Sequence, residues 1–196
     1  AEFGQALSGI LDIKSLDGSN EYIYGSVDTS LLELNSFLNI PVRQDKSALT
    51  IAFRRTHYDI ALDLAETLGL AEESTSTLPS YYSLEAKYVH ELTAKQSLEL
   101  SYRDYISQMD FLFEDDDTAE TSSFDIYNDL NIISAQLESQ LSKTLFNRFL
   151  VAKTVSTGKY EIDTTDFSFV NNYDQPQSFF RNDLTFSASD RHQIDL

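Results

Sequence analysis

The chain has 196 residues, and 14 Lys and Arg stand against 32 Asp and Glu, which gives a formal net charge of −18. Such an acidic chain lacks the basic residues that neutralise nucleic-acid phosphates, so nucleic acid is not an expected partner. The absence of cysteine excludes disulfides, thiol catalysis and thiolate metal sites. The longest apolar run, Phe149–Ala152, is far shorter than the ~20 residues of a transmembrane helix. Transmembrane β-strands are not excluded.

Apolar and polar residues alternate with a period of two along most of the chain, for example over 98–102, 133–141 and 184–188. This alternation is typical of β-strands that have one apolar and one polar face. The predicted strands cover residues 22–31, 33–42, 47–60, 81–92, 96–110, 124–141, 145–163, 178–188 and the residues from 192 onward. The sequence therefore predicts an all-β, antiparallel, up-and-down fold.

The connections between these strands alternate between short and long. Short polar turns are predicted at 43–46, 93–95, 142–144 and 189–191, and long polar loops at 61–80, 111–123 and 164–177. Every short turn then lies on one rim of the sheet and every long loop on the other. The long loops contain eleven carboxylates and no Lys or Arg, so the long-loop rim is predicted to be acidic.

Two architectures are compatible with this pattern. Strands of 14 to 19 residues exceed the usual ~5 to 6 of a soluble sheet and favour a transmembrane β-barrel. The alternative is a soluble, secreted β-sandwich that binds carbohydrate or protein through its loops. In a sandwich the apolar faces of 98–102 and 184–188 would oppose each other, whereas in a barrel both would face lipid.

The first residues resemble a known family. An aromatic-glycine pair, Phe3-Gly4, is followed by a small-residue turn with Gly9, and then by the apolar segment Ile10–Ile13 with Asp12. Together with Tyr24–Val27, this resembles the end of the plug domain and the first barrel strands of TonB-dependent outer-membrane receptors. The junction motif of the resemblance consists of Phe3, Gly4, Gly9 and Asp12.

The resemblance implies a domain division and a function. Residues 1–20 would be the C-terminal end of a plug domain, and residues 21–196 the N-terminal part of a β-barrel domain, so the chain would be a fragment with about eight to nine strands. It implies a receptor in the outer membrane of a Gram-negative cell that imports a scarce nutrient such as a siderophore, cobalamin or glycan. Its partners would be that ligand, outer-membrane lipid and the TonB complex, contacted through a segment outside this chain.

No catalytic or metal site is predicted. His57, His90 and His192 form no paired metal-binding motif, and no Gly-x-Ser-x-Gly sequence occurs. The acidic cluster Glu114, Asp115, Asp116 and Asp117 lacks the ligand spacing of an EF-hand, so we interpret it as a solvated loop tip. These four residues are the candidates for substrate contact. We expect neither enzymatic activity nor a cofactor.

Overall fold

Nine β-strands make up the regular part of the chain. The computed structural model describes residues 15–58, 64, 67–69, 77–114, 121–189 and 192–195. The strands in these ranges are β1 (Tyr24–Thr29), β2 (Glu33–Arg43), β3 (Ser47–Thr56), β4 (Thr77–Thr93), β5 (Gln96–Glu114), β6 (Thr121–Gln140), β7 (Leu145–Asp163), β8 (Ser168–Ser189) and β9 (His192–Asp195). None of the described residues belongs to a helix that is long and apolar enough to cross a membrane.

The strands form one antiparallel sheet in which each strand pairs with its neighbours in the chain, in the order β1 to β9. This confirms the predicted all-β, up-and-down fold. Within the described residues β1 pairs only with β2, and β9 only with β8, so the sheet does not close on itself. Its topology is consistent with a partial β-barrel.

The prediction of a long loop at 164–177 is wrong. β8 begins at Ser168, not at 178, and pairs with β7 without interruption from Asp163↔Ser168 to Leu145↔Phe186. The connection is a tight turn in which the Thr164 amide donates to the Phe167 carbonyl at 2.8 Å. Asp174, predicted in the loop, lies in β8 opposite Thr157. The connection between β3 and β4 keeps its predicted length but is shifted towards the N-terminus, from 61–80 to 57–76. The connection between β5 and β6 is shorter than predicted, because β5 continues to Glu114 and β6 already begins at Thr121.

Proline explains part of this error, because Pro176 and the polar residues around it are typical of a loop. In the described chain β9 pairs with β8 only from Thr185 onward, so β8 is an edge strand at Pro176. A residue without a backbone N–H is tolerated at such an edge. Pairing with the long strand β7 therefore outweighs the local loop preference.

The register assigns each side chain to one of two faces. Leu100 is opposite Ala135, Ala135 is opposite Val151, and Val151 is opposite Phe180, so all four share the face that we call the apolar face. Leu98 and Tyr102, and likewise Leu184 and Phe186, are on this same face by alternation. The two apolar segments thus lie side by side in one sheet, and the described residues do not show the opposed faces of a sandwich. The other face, which bears Lys87, is the polar face.

Candidate functional site

Large apolar side chains are exposed on the apolar face. Leu100 is 44%, Ile133 58% and Phe180 71% exposed. Leu100 and Ile133, together with Tyr88 and Val151, border a depression of about 680 Å³, which Lys153 also lines. A contiguous apolar patch of this kind marks a surface that contacts lipid or another apolar partner. We call it the apolar band.

The band ends before the long-loop rim. Farther along the strands the same face bears Asp104, Asp129, Asp174 and the facing pair Asp110 and Asp125. The hydrogen bond with Asp110, together with partial burial, raises the pKa of the Asp125 carboxyl. The band is therefore bounded by an acidic region, which we place outside any apolar environment because ionised carboxylates are costly there.

The band slants across the sheet. The register connects Leu49 of β3 to Phe180 of β8 through one row of directly paired residues. In β3 the apolar positions are 49, 51 and 53, so their centre lies two residues from this row towards the long-loop rim. In β8 the large apolar residues next to this row are at 180, 184 and 186, so their centre lies three residues from the row towards the short-turn rim.

This slant has the size expected for a membrane barrel. The centre of the band shifts by five residues over the five steps from β3 to β8, or one residue per strand. With a rise of ~3.3 Å per residue and a strand spacing of ~4.8 Å, one residue per strand corresponds to a tilt of about 35°. Strands of outer-membrane barrels are tilted by roughly 35–45° to the membrane normal. A horizontal apolar belt around such tilted strands gives the observed slant.

The slant leads to a test within one row of the sheet. Phe53 and Asn131 share a row of paired residues on the apolar face, but only Phe53 lies inside the slanted band. We expect Phe53→Arg to reduce the membrane-inserted amount of the full-length protein at least tenfold, and Asn131→Arg to leave it unchanged. Quantitative blotting of outer-membrane fractions measures both. Equal effects of the two substitutions would contradict the slant.

The polar face bears paired charges around a cavity of about 480 Å³. These ion pairs link Arg148 Nε to Glu138 at 2.9 Å, Arg181 Nε to Asp183 at 2.8 Å and Arg103 Nε to Glu85 at 3.5 Å. Each pair is partly exposed, so it contributes little to stability. The pairs make this part of the polar face hydrophilic and nearly neutral in charge, which suits a water-filled space.

Residues 15–23, which we call the docked segment, lie on this polar face. Lys87 is only 6% exposed, and its ammonium donates to the Ser15 carbonyl at 2.7 Å and to Asp17 at 2.6 Å. Asn39 is fully buried. Its amide donates to the carbonyls of Ser19 at 2.8 Å and Tyr22 at 2.9 Å, and its oxygen accepts from the Ser19 amide at 3.0 Å. Two strand residues thus hold the backbone of the docked segment.

Gly18 makes this close contact possible. Its φ of +76° is rare for residues with a side chain, and a Cβ there would be 2.2 Å from the Asn39 Oδ1. We therefore expect Gly18→Ala to loosen the docked segment by about 1–3 kcal/mol. Hydrogen–deuterium exchange of residues 15–23 should accelerate by about tenfold or more. Gly69→Ala is the control for backbone strain without a steric clash. Gly69 has a φ of +67°, and a methyl group there would meet no atom of the described residues within 4 Å.

The residues predicted for the site are mostly outside the described residues. This holds for Phe3, Gly4, Gly9 and Asp12 of the junction motif and for Asp115, Asp116 and Asp117 of the acidic cluster. Glu114 is not in a loop, because it ends β5 and pairs with Thr121. The contacts of Lys87 and Asn39 were missed, since each is one polar residue among many in an alternating strand.

Among the described residues, no group of three or more His, Asp or Glu side chains is arranged to hold a metal ion. Comparisons of the chain with known protein families, curated proteins and solved structures gave no match. The apolar band and the docked segment therefore carry the functional argument.

Proposed function

We propose that this chain is a section of the wall of a TonB-dependent outer-membrane receptor, in which the apolar face contacts lipid and the polar face lines the interior. The observation that supports this most is the slanted apolar band. In a membrane barrel the strands cross the apolar belt at such a tilt and the belt faces outwards, and the band of this sheet has this slope and is exposed. If the strands are tilted to the membrane normal, a single membrane plane accounts both for the position of the band on each strand and for its slope across the sheet.

The docked segment supports the same proposal. In such a receptor the chain leaves the plug inside the barrel and continues into the first wall strand. Here the segment before β1 contacts the polar face through Lys87 and Asn39, which is the face that we assign to the interior. Residues 15–20 of the docked segment belong to the predicted plug end, residues 1–20, and their contacts with the polar face support this assignment.

The receptor would take up a scarce nutrient with energy from the TonB complex, which would bind a segment outside this chain. Ligand would enter from the acidic long-loop rim, and lipid would surround the apolar band. Each partner in this proposal is assigned to a different surface: ligand to the polar face, lipid to the apolar face. The chain would have no enzymatic role.

Cell fractionation tests this proposal. An antibody against residues 111–123 is used to blot the soluble, inner-membrane and outer-membrane fractions of the source organism, before and after alkaline extraction. We expect an outer-membrane band that resists extraction and is much heavier than 22.3 kDa. A soluble or secreted band near 22.3 kDa would overturn the proposal and favour a secreted binding protein.

A further inference from the structure

The part of the polar face nearest the long-loop rim is uncharged in strands β5 to β8. We call it the outer polar surface, and it consists of the polar-face positions within 105–109, 122–130, 156–162 and 169–175. No Asp, Glu, Lys or Arg occupies any of these positions. The apolar face of the same strand segments bears the charged residues Asp125, Asp129, Lys159, Glu161 and Asp174, so the charges at this level are confined to one side of the sheet.

Two tyrosines form the centre of this surface. The ring of Tyr173 lies over Gly158, where a Cβ would be 2.5 Å from three of its atoms. Tyr160 stacks with it, with ring centroids 5.9 Å apart and planes inclined by 25°. Any side chain at position 158 would displace the Tyr173 ring, so the glycine is required for this arrangement.

Hydrogen bonds fix the position of both rings. The hydroxyl of Tyr173 donates to the Asn128 Oδ1 at 2.7 Å, and that of Tyr160 donates to the same oxygen at 3.4 Å. Asn128 in turn donates to the Ser107 hydroxyl at 3.5 Å. Rings that are already held in place lose little conformational entropy when a ligand stacks on them.

Two exposed amide side chains flank Tyr173. Asn171 and Gln175 are two positions before and after Tyr173 in β8, on the same face, and both are exposed. Aromatic faces together with amide donors and acceptors suit a ligand that combines apolar C–H faces with many hydroxyl groups. A pyranose sugar has this chemistry.

The distribution of charge on the protein disfavours an anionic ligand. An anionic ligand would find no Lys or Arg to pair with on the outer polar surface. It would also approach against the field of an acidic rim and of a chain with a net charge of −18. A neutral ligand experiences neither cost.

We propose that the outer polar surface binds a neutral oligosaccharide, whose sugar rings stack on Tyr173 and Tyr160 and whose hydroxyls bond to Asn171 and Gln175. This rests on the proposed function, because it names the ligand class of the interior that the polar face would line. Of the nutrients that the resemblance implies, it selects a glycan and makes an anionic metal chelate unfavourable.

Calorimetry on the detergent-solubilised full-length protein tests this proposal. The probes are neutral hexasaccharides (malto-, cello-, manno- and xylohexaose) and, at matched length, the acidic hexagalacturonate. We expect at least one neutral probe to bind and hexagalacturonate not to bind. Tyr173→Ala should weaken binding at least tenfold, and Tyr173→Phe, which keeps the ring, less than threefold. Asn171→Ala, at an exposed position, should weaken it about threefold or more.

Tyr127→Ala is the matched control, because Tyr127 is next to Asn128 but on the opposite face of β6, and we expect unchanged binding. Binding of no neutral probe, preferential binding of hexagalacturonate, or equal loss in Tyr127→Ala and Tyr173→Ala would overturn the proposal. The measurement is made on the protein from whichever cell fraction contains it. Cell fractionation therefore tests whether the protein is in the outer membrane, and calorimetry tests separately which class of ligand it binds.

Discussion

Leu100→Arg is expected to prevent assembly of the full-length protein in the outer membrane. Leu100 lies in the middle of the apolar band and is 44% exposed, so an arginine there would face lipid. A lipid-facing Arg near the midplane costs about 2–4 kcal/mol, which reduces the inserted fraction by roughly 30- to 1,000-fold where the two states are in equilibrium. Blotting of outer-membrane fractions and protease protection of whole cells measure the loss.

Gln108→Arg is the matched control for this prediction. Gln108 lies in the same strand and on the same face as Leu100, but beyond the band, where its side chain donates to Asp110. An arginine there faces water and carboxylates, so assembly should stay at the level of the unmodified protein. Normal assembly of Leu100→Arg, or equal loss in both variants, would show that the apolar face does not contact lipid.

Asn39→Ala should release the docked segment. The substitution removes the three hydrogen bonds that the fully buried Asn39 side chain makes to the backbone of residues 19 and 22. At about 1 kcal/mol for each bond, we expect a loss of about 3 kcal/mol in the docking free energy. Amide exchange of residues 15–23 should approach the rate of an unstructured peptide, while exchange in β5 to β7 remains slow.

Asn35→Ala separates this effect from a general effect on β2. Asn35 is on the same face of the same strand, but its amide donates to Glu33 within β2. We expect residues 15–23 to stay protected in this variant. If protection is also lost in Asn35→Ala, or is retained in Asn39→Ala, then Asn39 does not hold the segment.

The strand order could be predicted because the signal is local. Period-two alternation interrupted by short polar turns defines nearly every strand, and tight turns between consecutive strands leave an up-and-down sheet as the simplest arrangement. β8 shows where this reasoning fails. Asn171, Asn172 and Pro176 have low strand propensity, yet this segment pairs with all of the outer part of β7. Propensity is a local property, whereas pairing depends on the partner strand.

The candidate surfaces depend on features that are not local. Lys87 is buried by a segment some seventy positions earlier in the chain, with which its ammonium bonds. The slope of the apolar band becomes visible only when the register of six strands is known. In the sequence Tyr160 and Tyr173 are two among many aromatic residues. Only the register of β7 and β8, which pairs Gly158 with Tyr173, brings the two rings together.

The length of the strands beyond the apolar band has a consequence for recognition by other molecules. In β6, residues 121–131 continue the sheet past the band, which for tilted strands amounts to about 30 Å of height. At a cell surface this portion would be a stiff ribbon rather than a set of pliable loops. Antibodies or phage tail proteins would therefore meet a conformational epitope, made from residues of several strands, that short synthetic peptides do not reproduce.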